Sequence, residues 1–314
     1  MIKLGIIGTN WITQQFIDAI KLSRKFDLTS VYSRHDQTAK TFAAKNGAQE
    51  TFTDLNAFFT KGQFETVYIA SPNSLHFEQA QMAIQHGKNV IVEKPAFSTQ
   101  KQMAKIQALL DENPQVLYFE AARNIHTENF HAIEKKLGQL KTVQGAEFTY
   151  SKYSSRYDLV LEGEEPNVFS LKYAGGALQD LGVYTVYDAV ALFGMPEEAA
   201  YYSQLIRTGV DGKGTAILQY PEYNVTLNFS KITNSHMTSE IYGLKDLIEI
   251  DDAGEINAVI YIDDDRNKQV IGNTIDENPM LPEVEDFVRV INDPKNPQNK
   301  HDYDYWRQLS VYVN

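Results

Sequence analysis

Apolar residues over the first 120 positions follow a repeating pattern, in which short apolar runs alternate with longer segments of helical spacing. The runs predict strands at residues 2–7, 28–32, 66–70, 89–92 and 116–120. The longer segments predict helices at residues 11–22, 37–45, 55–60, 75–86 and 99–112. Strands that alternate with helices are typical of βαβ units and of a parallel sheet, whose strands are buried on both faces.

The pattern changes after about residue 140. Segments such as YNVTLNFSKI and INAVIYID are strand-like and are separated by Gly, Pro, Asp or Asn, which predicts an antiparallel sheet. Further helices are expected at residues 130–137, 177–193 and 282–292. The sequence therefore predicts an α/β protein with two domains, residues 1–121 and 122–314. The last helix has neither a glycine cap nor a basic last turn, which is the pattern of a truncated helix.

Composition narrows the classes of partner. The net charge of -12 argues against a nucleic-acid or membrane-surface partner, because polyanions would be repelled. Cysteine is absent, which excludes disulfides and thiolate metal sites and is typical of the reducing cytoplasm. Neither a secretory leader nor an apolar run long enough to span a membrane is visible, and the histidines form no ligand-like cluster. We therefore expect a cytoplasmic protein without a metal.

The segment GIIGTNWIT resembles the turn of a dinucleotide-binding motif, Gly-x-Gly-x-x-Gly, with departures. Gly8 supplies the tight turn, whereas Asn10 replaces the glycine that lets the backbone approach a pyrophosphate, and Thr13 replaces the last small residue. Because Asn adopts left-handed conformations readily, we expect Asn10 to hold the turn in that conformation. An ordinary strand–helix turn is the alternative. The candidate cofactor contacts of this loop are Gly8, Thr9, Asn10, Trp11 and Ile12.

The second predicted strand is followed by Ser33 and Arg34, where an NAD-selective domain usually has an acidic residue. A carboxylate would repel the 2′-phosphate of NADP, whereas the Arg34 guanidinium can pair with it. The pattern therefore favours NADP. Asp36, two residues farther on, keeps NAD as the alternative.

Polar residues also follow the next two long strands. They are Ser71, Pro72, Asn73 and His76 after the first, and Glu93, Lys94 and Pro95 after the second. Ligands of open α/β sheets bind outside the carboxyl ends of the strands. We therefore expect both loops to face one crevice.

Four segments in order, GIIGTNWI, SPNSLHFEQA, GKNVIVEKP and GGALQDLGVYTVYD, resemble the glucose–fructose oxidoreductase / inositol 2-dehydrogenase / rhizopine-catabolism (Gfo/Idh/MocA) family, including its dihydrodiol dehydrogenase branch. The resemblance covers nearly the whole chain. It implies an NAD(P)-binding Rossmann domain, then a substrate and oligomerisation domain with a large, mainly antiparallel open sheet that packs against a partner subunit. A homodimer or homotetramer is expected. The implied chemistry is hydride transfer between NADP or NAD and a carbinol/carbonyl carbon of a sugar, inositol or diol.

Hydride transfer of this kind also needs a group that moves the hydroxyl proton. Within the resemblance, Lys94 is placed to bond the substrate oxygen and to stabilise a developing alkoxide. Asp180 and Tyr184 are four residues apart on a predicted helix and share a face, where they would meet substrate hydroxyls. Either Lys94 or Tyr184 is the acid–base group. The resemblance also places His76 and Trp11 beside the cofactor.

The remaining candidate positions lie in the second predicted domain. Gly175 and Gly176 would let the backbone approach a ligand and open the helix, and Asp188 is interpreted as structural. The segment AARNIHTENF departs from the family pattern, so Arg123 and His126 receive no role. The presence of the proposed catalytic residues favours an enzyme over a non-catalytic NAD(P)-binding sensor or structural subunit. GGALQD argues against an enzyme of the same fold for another carbonyl class, such as a biliverdin or imine reductase.

Overall fold

The structure is a computed structural model that describes residues 1–314. The chain forms two compact units. The first unit comprises Met1–Ala121, Asp276–Tyr312 and Asn314, and the second comprises Ala122–Ile275 and Val313.

Fourteen strands and ten α-helices build the two units. The strands are β1 (Ile2–Ile7), β2 (Phe26–Tyr32), β3 (Glu50–Phe52), β4 (Thr66–Ile69), β5 (Asn89–Glu93), β6 (Tyr118–Ala121), β7 (Gly145–Ser151), β8 (Glu198–Leu205), β9 (Asp211–Gln219), β10 (Asn224–Ser230), β11 (Ser239–Tyr242), β12 (Leu247–Ile250), β13 (Val259–Ile262) and β14 (Lys268–Gly272). The helices are α1 (Trp11–Ser23), α2 (Asp36–Asn46), α3 (Leu55–Lys61), α4 (His76–Gln85), α5 (Gln100–Glu112), α6 (Glu128–Leu137), α7 (Arg156–Leu161), α8 (Val183–Phe193), α9 (Leu281–Asn292) and α10 (Pro297–Val313).

The first unit is a six-stranded parallel sheet in the order β3-β2-β1-β4-β5-β6. Apolar residues of α1, α2 and α9 pack on one face of this sheet. Residues of α3, α4 and α5 pack on the other face. The sheet is therefore buried on both faces, as the continuous apolar runs predicted. The short strand β3 was missed, because its three half-buried residues give no pattern of their own.

The last two helices pack in the first unit, although the sequence placed residues 276–314 in the second domain. In α9, Phe287 lies against Phe119 of β6, with the ring centroids 4.7 Å apart. The ring centroid of Tyr303 in α10 lies 5.5 Å from that of Phe119. The first segment of this unit ends at Ala121, and the chain returns to the unit after residue 275. Burial of the apolar side of α9 on the parallel sheet accounts for this return.

The second unit contains an eight-stranded sheet in the order β14-β13-β12-β11-β7-β10-β9-β8. Every pairing in it is antiparallel except that of β10 with β7. Helix α8 covers one face of the sheet, where the ring centroid of Phe193 lies 6.3 Å from that of Phe148. The two sheets confirm the predicted α/β class with a large, mainly antiparallel second sheet. None of the ten helices combines the length and the apolar character that crossing a membrane requires.

Candidate active site

The order of strands in the parallel sheet reverses between β1 and β4, and ligands of open α/β sheets bind at such a point. Gly8 follows β1 there and has a φ of 107°. A Cβ on Gly8 would lie 2.5 Å from the carbonyl oxygen of Ala70, which follows β4. Both the backbone conformation and the available space therefore require glycine at this turn.

Asn10 has a different role from the one expected. Its φ of -87° and ψ of -175° are extended, so the predicted left-handed conformation is wrong. Asn10 is the N-cap of α1: its Oδ1 accepts the backbone N–H of Thr13 at 3.0 Å. Its Nδ2 donates to the carbonyl of Ala70 at 2.9 Å. The side chain thus fixes the start of α1 to the end of β4, so no left-handed residue is needed.

The start of α1 fits a dinucleotide pyrophosphate. The first N–H groups of an α-helix have no acceptor within the helix, and with the helix dipole they form an anion site. In α1 these groups begin at Trp11 and Ile12, next to the glycine turn. Trp11 is 72% exposed, so it is accessible to a bound cofactor.

The end of β2 carries a basic rather than an acidic side chain. Arg34 is exposed, whereas the neighbouring Ser33 is half-buried and donates its backbone N–H to Phe52 at 3.1 Å. Burial raises the pKa of the Tyr32 hydroxyl, and the nearby positive charge of Arg34 opposes that shift. The carboxylate of Asp36 pairs with Lys40 on α2 at 2.7 Å.

His76 connects the loops that follow β4 and β5. Its Nε2 lies 2.8 Å from the carbonyl oxygen of Ser71, and its Nδ1 lies 3.1 Å from that of Pro95. The side chain is 1% exposed, and burial lowers its pKa, with a smaller contribution from the charge of Lys94. His76 therefore lies between the two loops inside the fold, where a neutral imidazole donates to one of the two carbonyls, a position that sequence reasoning did not anticipate.

Hydrogen bonds fix the backbone on both sides of Lys94. Before it, the buried carboxylate of Glu93 accepts the hydroxyl of Tyr68 at 2.5 Å. After it, the N–H of Ala96 donates to Oε1 of the buried Glu120 at 2.9 Å. The half-buried Lys94 side chain therefore follows β5 in a segment that hydrogen bonds anchor on both sides.

Asp180 and Tyr184 lie at the start of the helix that covers the second sheet. Asp180 is in a π-helical turn, Leu178–Gly182, directly before α8. Single π-helical turns of this kind are frequent at functional sites. Tyr184, in the first turn of α8, is 6% exposed, and its ring meets that of Tyr150 edge-on at 5.5 Å. The guanidinium of Arg123 lies 5.7 Å from the Tyr184 ring centroid.

Two charged residues lie near these side chains: Arg123, which received no role from the sequence, and Lys231, which sequence reasoning did not single out. Arg123 pairs with Glu255 at 3.0 Å. Lys231 pairs with Oδ2 of Asp180 at 2.5 Å. The sequence did hold a signal for Lys231. This lysine follows Phe229 by two positions, so it continues the alternate residues of β10 that face the core. A lysine in such a series needs an ion-pair partner.

Asp188, one turn beyond Tyr184, is 1% exposed, and its Oδ1 accepts the side-chain amide of Asn124 at 2.7 Å. Burial raises the pKa of the Asp188 carboxyl well above its usual range. These features agree with a structural role. Lys94 belongs to the first unit, and Asp180 and Tyr184 belong to the second. That the three meet around one substrate stays a prediction.

A glycine turn at the reversal point of a parallel sheet, followed by a helix N-terminus that fits a pyrophosphate, defines a dinucleotide-binding protein. Residues 2–121 match the family described as "Oxidoreductase family, NAD-binding Rossmann fold", and residues 132–249 match "GFO/IDH/MocA C-terminal domain". The chain belongs to the GFO/IDH/MocA family and is an NAD(P)-dependent oxidoreductase.

Individual relatives match along nearly the whole chain. An uncharacterized oxidoreductase of Escherichia coli (strain K12), YgjR, is 38% identical over 93% of this chain and 89% of its own length. The scyllo-inositol 2-dehydrogenase (NADP(+)) IolU of Bacillus subtilis (strain 168) is 38% identical over 94% of this chain and 90% of its own. Among solved structures, the Actinomadura kijaniata 3-ketoreductase KijD10, in complex with NADP and TDP-benzene, has a TM-score of 0.86 at 19% identity and covers 99% of this chain and 94% of its own. The family, the oxidoreductase activity and an NADP or NAD cofactor, all expected from the sequence, are confirmed.

Proposed function

We propose that the enzyme transfers a hydride between NADP and a carbinol/carbonyl carbon of a sugar, inositol or diol. The observation that carries this proposal is the position of Lys94, directly after the carboxyl end of β5 and between two residues that hydrogen bonds anchor. The similarity to IolU, whose name gives scyllo-inositol and NADP(+), supports the same class of substrate and cofactor. The lack of cysteine supports a cytoplasmic location.

Bound NADP supplies the hydride acceptor for oxidation and, when reduced, the hydride donor. On oxidation, the substrate carbon loses a hydride and its hydroxyl oxygen loses a proton. Lys94 bonds that oxygen and stabilises the developing negative charge. Lys94 or Tyr184 takes the proton. Asp180, as an acceptor-only carboxylate, binds a neighbouring substrate hydroxyl.

A dehydrogenase screen tests the proposal. The purified protein is mixed with NADP⁺ or NAD⁺ and a panel of sugars, inositols and diols, and the absorbance of the reduced nicotinamide is followed. We expect NADP-dependent oxidation of at least one vicinal diol. Tight NADP binding without turnover of any member of the panel, in either direction, would contradict the proposal.

Replacement of Arg34 by alanine tests the preference for NADP. Binding of NADP should weaken by about 1.5–3 kcal/mol, the range for a hydrogen bond to a charged group. Binding of NAD should change little, because NAD lacks the 2′-phosphate, so NAD serves as the internal control. Dissociation constants from fluorescence titration measure both effects. Equal losses for the two cofactors, or a parent enzyme that prefers NAD, would refute this preference.

A homodimer or homotetramer formed through the second sheet is part of the proposal. The pairing register puts Tyr202, Ile217, Ile260 and Val270 on the face opposite Phe148 and α8. Tyr202 is 65% exposed and Val270 is 59% exposed. Exposed apolar side chains spread across several strands of one sheet face are typical of an interaction surface.

Sedimentation velocity at micromolar concentration should therefore show a dimer or a tetramer. Tyr202→Asp should shift the parent species toward the monomer and leave the melting temperature of the first unit unchanged, because Tyr202 belongs to the second unit. A monomeric parent protein would contradict the proposed assembly.

A further inference from the structure

Lys231 is a lysine buried at the end of β10, with 2% of its side chain exposed. It extends the core-facing series of Leu227 and Phe229, which are both buried. Its ammonium lies 2.5 Å from Oδ2 of Asp180 and 4.6 Å from the ring centroid of Phe169. Because a buried ammonium without a partner is costly, the ion pair fixes where the Asp180 carboxylate rests.

The same ammonium holds a turn of the loop before the π-helix. Lys231 donates to the carbonyl of Val168 at 3.3 Å, and that carbonyl also accepts the N–H of Gly176 at 3.1 Å. A Cβ on Gly175 would lie 2.7 Å from the same carbonyl oxygen. The space at Gly175, which the sequence suggested for a ligand, is thus occupied by the chain's own turn. One buried cation joins this turn to the segment that carries Asp180.

We infer that Lys231 is a positioning residue for substrate recognition, which acts by fixing the Asp180 carboxylate and the turn Asn167–Phe169 in one arrangement. The inference rests on the proposed function. Lys231 is too buried to touch a substrate, whereas the Asp180 side chain is 39% exposed. A carboxylate held in one place discriminates strongly between a substrate with a hydroxyl at the matching position and an analogue that lacks it. Lys231 therefore sets the selectivity of the enzyme for a polyol over its deoxy analogue.

Lys231→Met removes the charge and keeps most of the buried side chain. The matched control is Lys245→Met, which changes an exposed lysine in the turn after β11. Lys231→Met should lower kcat/KM for the best polyol by about 10–100-fold. The preference for that polyol over its deoxy analogue should fall with it, while the dissociation constant of NADP stays within about twofold of the parent value. The control variant should match the parent in each measurement.

A double variant distinguishes positioning from a general structural role. If Lys231 acts through Asp180, Lys231→Met combined with Asp180→Asn should have the kcat/KM of Asp180→Asn alone.

Limited digestion with trypsin adds a measurement that does not depend on turnover of a substrate. Cleavage after Lys172, an exposed residue close to the anchored turn, should be faster in Lys231→Met than in the parent or the Lys245 control. Lys231→Gln, which keeps a donor, undergoes the same tests if the methionine variant does not fold.

Any of three results would overturn the inference. They are losses of kcat/KM that multiply in the double variant, an unchanged preference of Lys231→Met for the polyol, and cleavage of Lys231→Met after Lys172 at the parent rate. A parent enzyme that turns over no polyol would instead contradict the proposed function. In that case the rate of cleavage after Lys172 still decides whether Lys231 anchors the turn.

Discussion

Replacement of Lys94 by alanine is expected to lower kcat by about 10²–10⁴ and to leave the dissociation constant of NADP nearly unchanged. The truncation removes the ammonium that holds the substrate oxygen, while the hydrogen bonds of Glu93 and Ala96 keep the backbone in place. Steady-state kinetics on a substrate found in the screen, together with a fluorescence titration of NADP, measure the two effects.

Lys101→Ala is the control for that substitution, because Lys101 is an exposed lysine of α5 in the same unit. It should retain the parent kcat. Near-parent turnover by Lys94→Ala on a true substrate would remove Lys94 from the mechanism. A large loss of NADP affinity in the same variant would instead identify Lys94 as a cofactor ligand.

Tyr184→Phe then separates the two candidates for proton transfer. The substitution removes only the hydroxyl and retains the ring, which packs against Tyr150 and lies near Arg123. A loss of kcat as large as that of Lys94→Ala assigns the proton to Tyr184. A loss below about tenfold leaves Tyr184 as an orienting group and assigns the proton to Lys94.

The sequence predicted the parallel sheet well because its strands are buried on both faces and read as continuous apolar runs. The predicted strand at residues 2–7 matches β1, and those at residues 66–70 and 89–92 differ from β4 and β5 by one residue. The return of α9 and α10 to the first unit was not predictable in this way. Their amphipathic pattern specifies a buried face but does not specify which sheet covers it.

In the candidate site, too, the features set by local sequence could be predicted, and the features set by distant partners could not. The positions of Lys94 and the glycine turn follow from strand ends, which local patterns reveal. The conformation of Asn10 depends on the carbonyl of Ala70, and the position of the Asp180 carboxylate depends on Lys231. These partners are far apart in the chain, so spacing alone could not identify them. The one sequence signal for a buried ion pair was Lys231, a lysine at a core-facing strand position.

Gly8→Ala is expected to be among the most damaging substitutions in the first unit. The new Cβ would lie 2.5 Å from the carbonyl oxygen and 2.8 Å from the carbonyl carbon of Ala70, and these backbone atoms at the carboxyl end of β4 cannot rotate away as a side chain could. The φ of 107° adds strain for any residue with a Cβ. Together, the clash and the strain should reduce the free energy of unfolding by about 2–4 kcal/mol. They should also weaken NADP binding by more than about tenfold, because the turn that approaches the pyrophosphate must move.

Gly47→Ala separates the clash from the strain. Gly47, the C-cap of α2, has a φ of 86°, and a Cβ there would meet no other part of the chain within 4 Å, so only the conformational strain applies. Its free energy of unfolding should fall by about 1–2 kcal/mol, the cost of a left-handed conformation, with normal NADP affinity. Urea unfolding and a fluorescence titration of NADP compare the two variants. If Gly8→Ala resembles Gly47→Ala in both stability and NADP affinity, the close approach of Gly8 to Ala70 is not what shapes the cofactor turn.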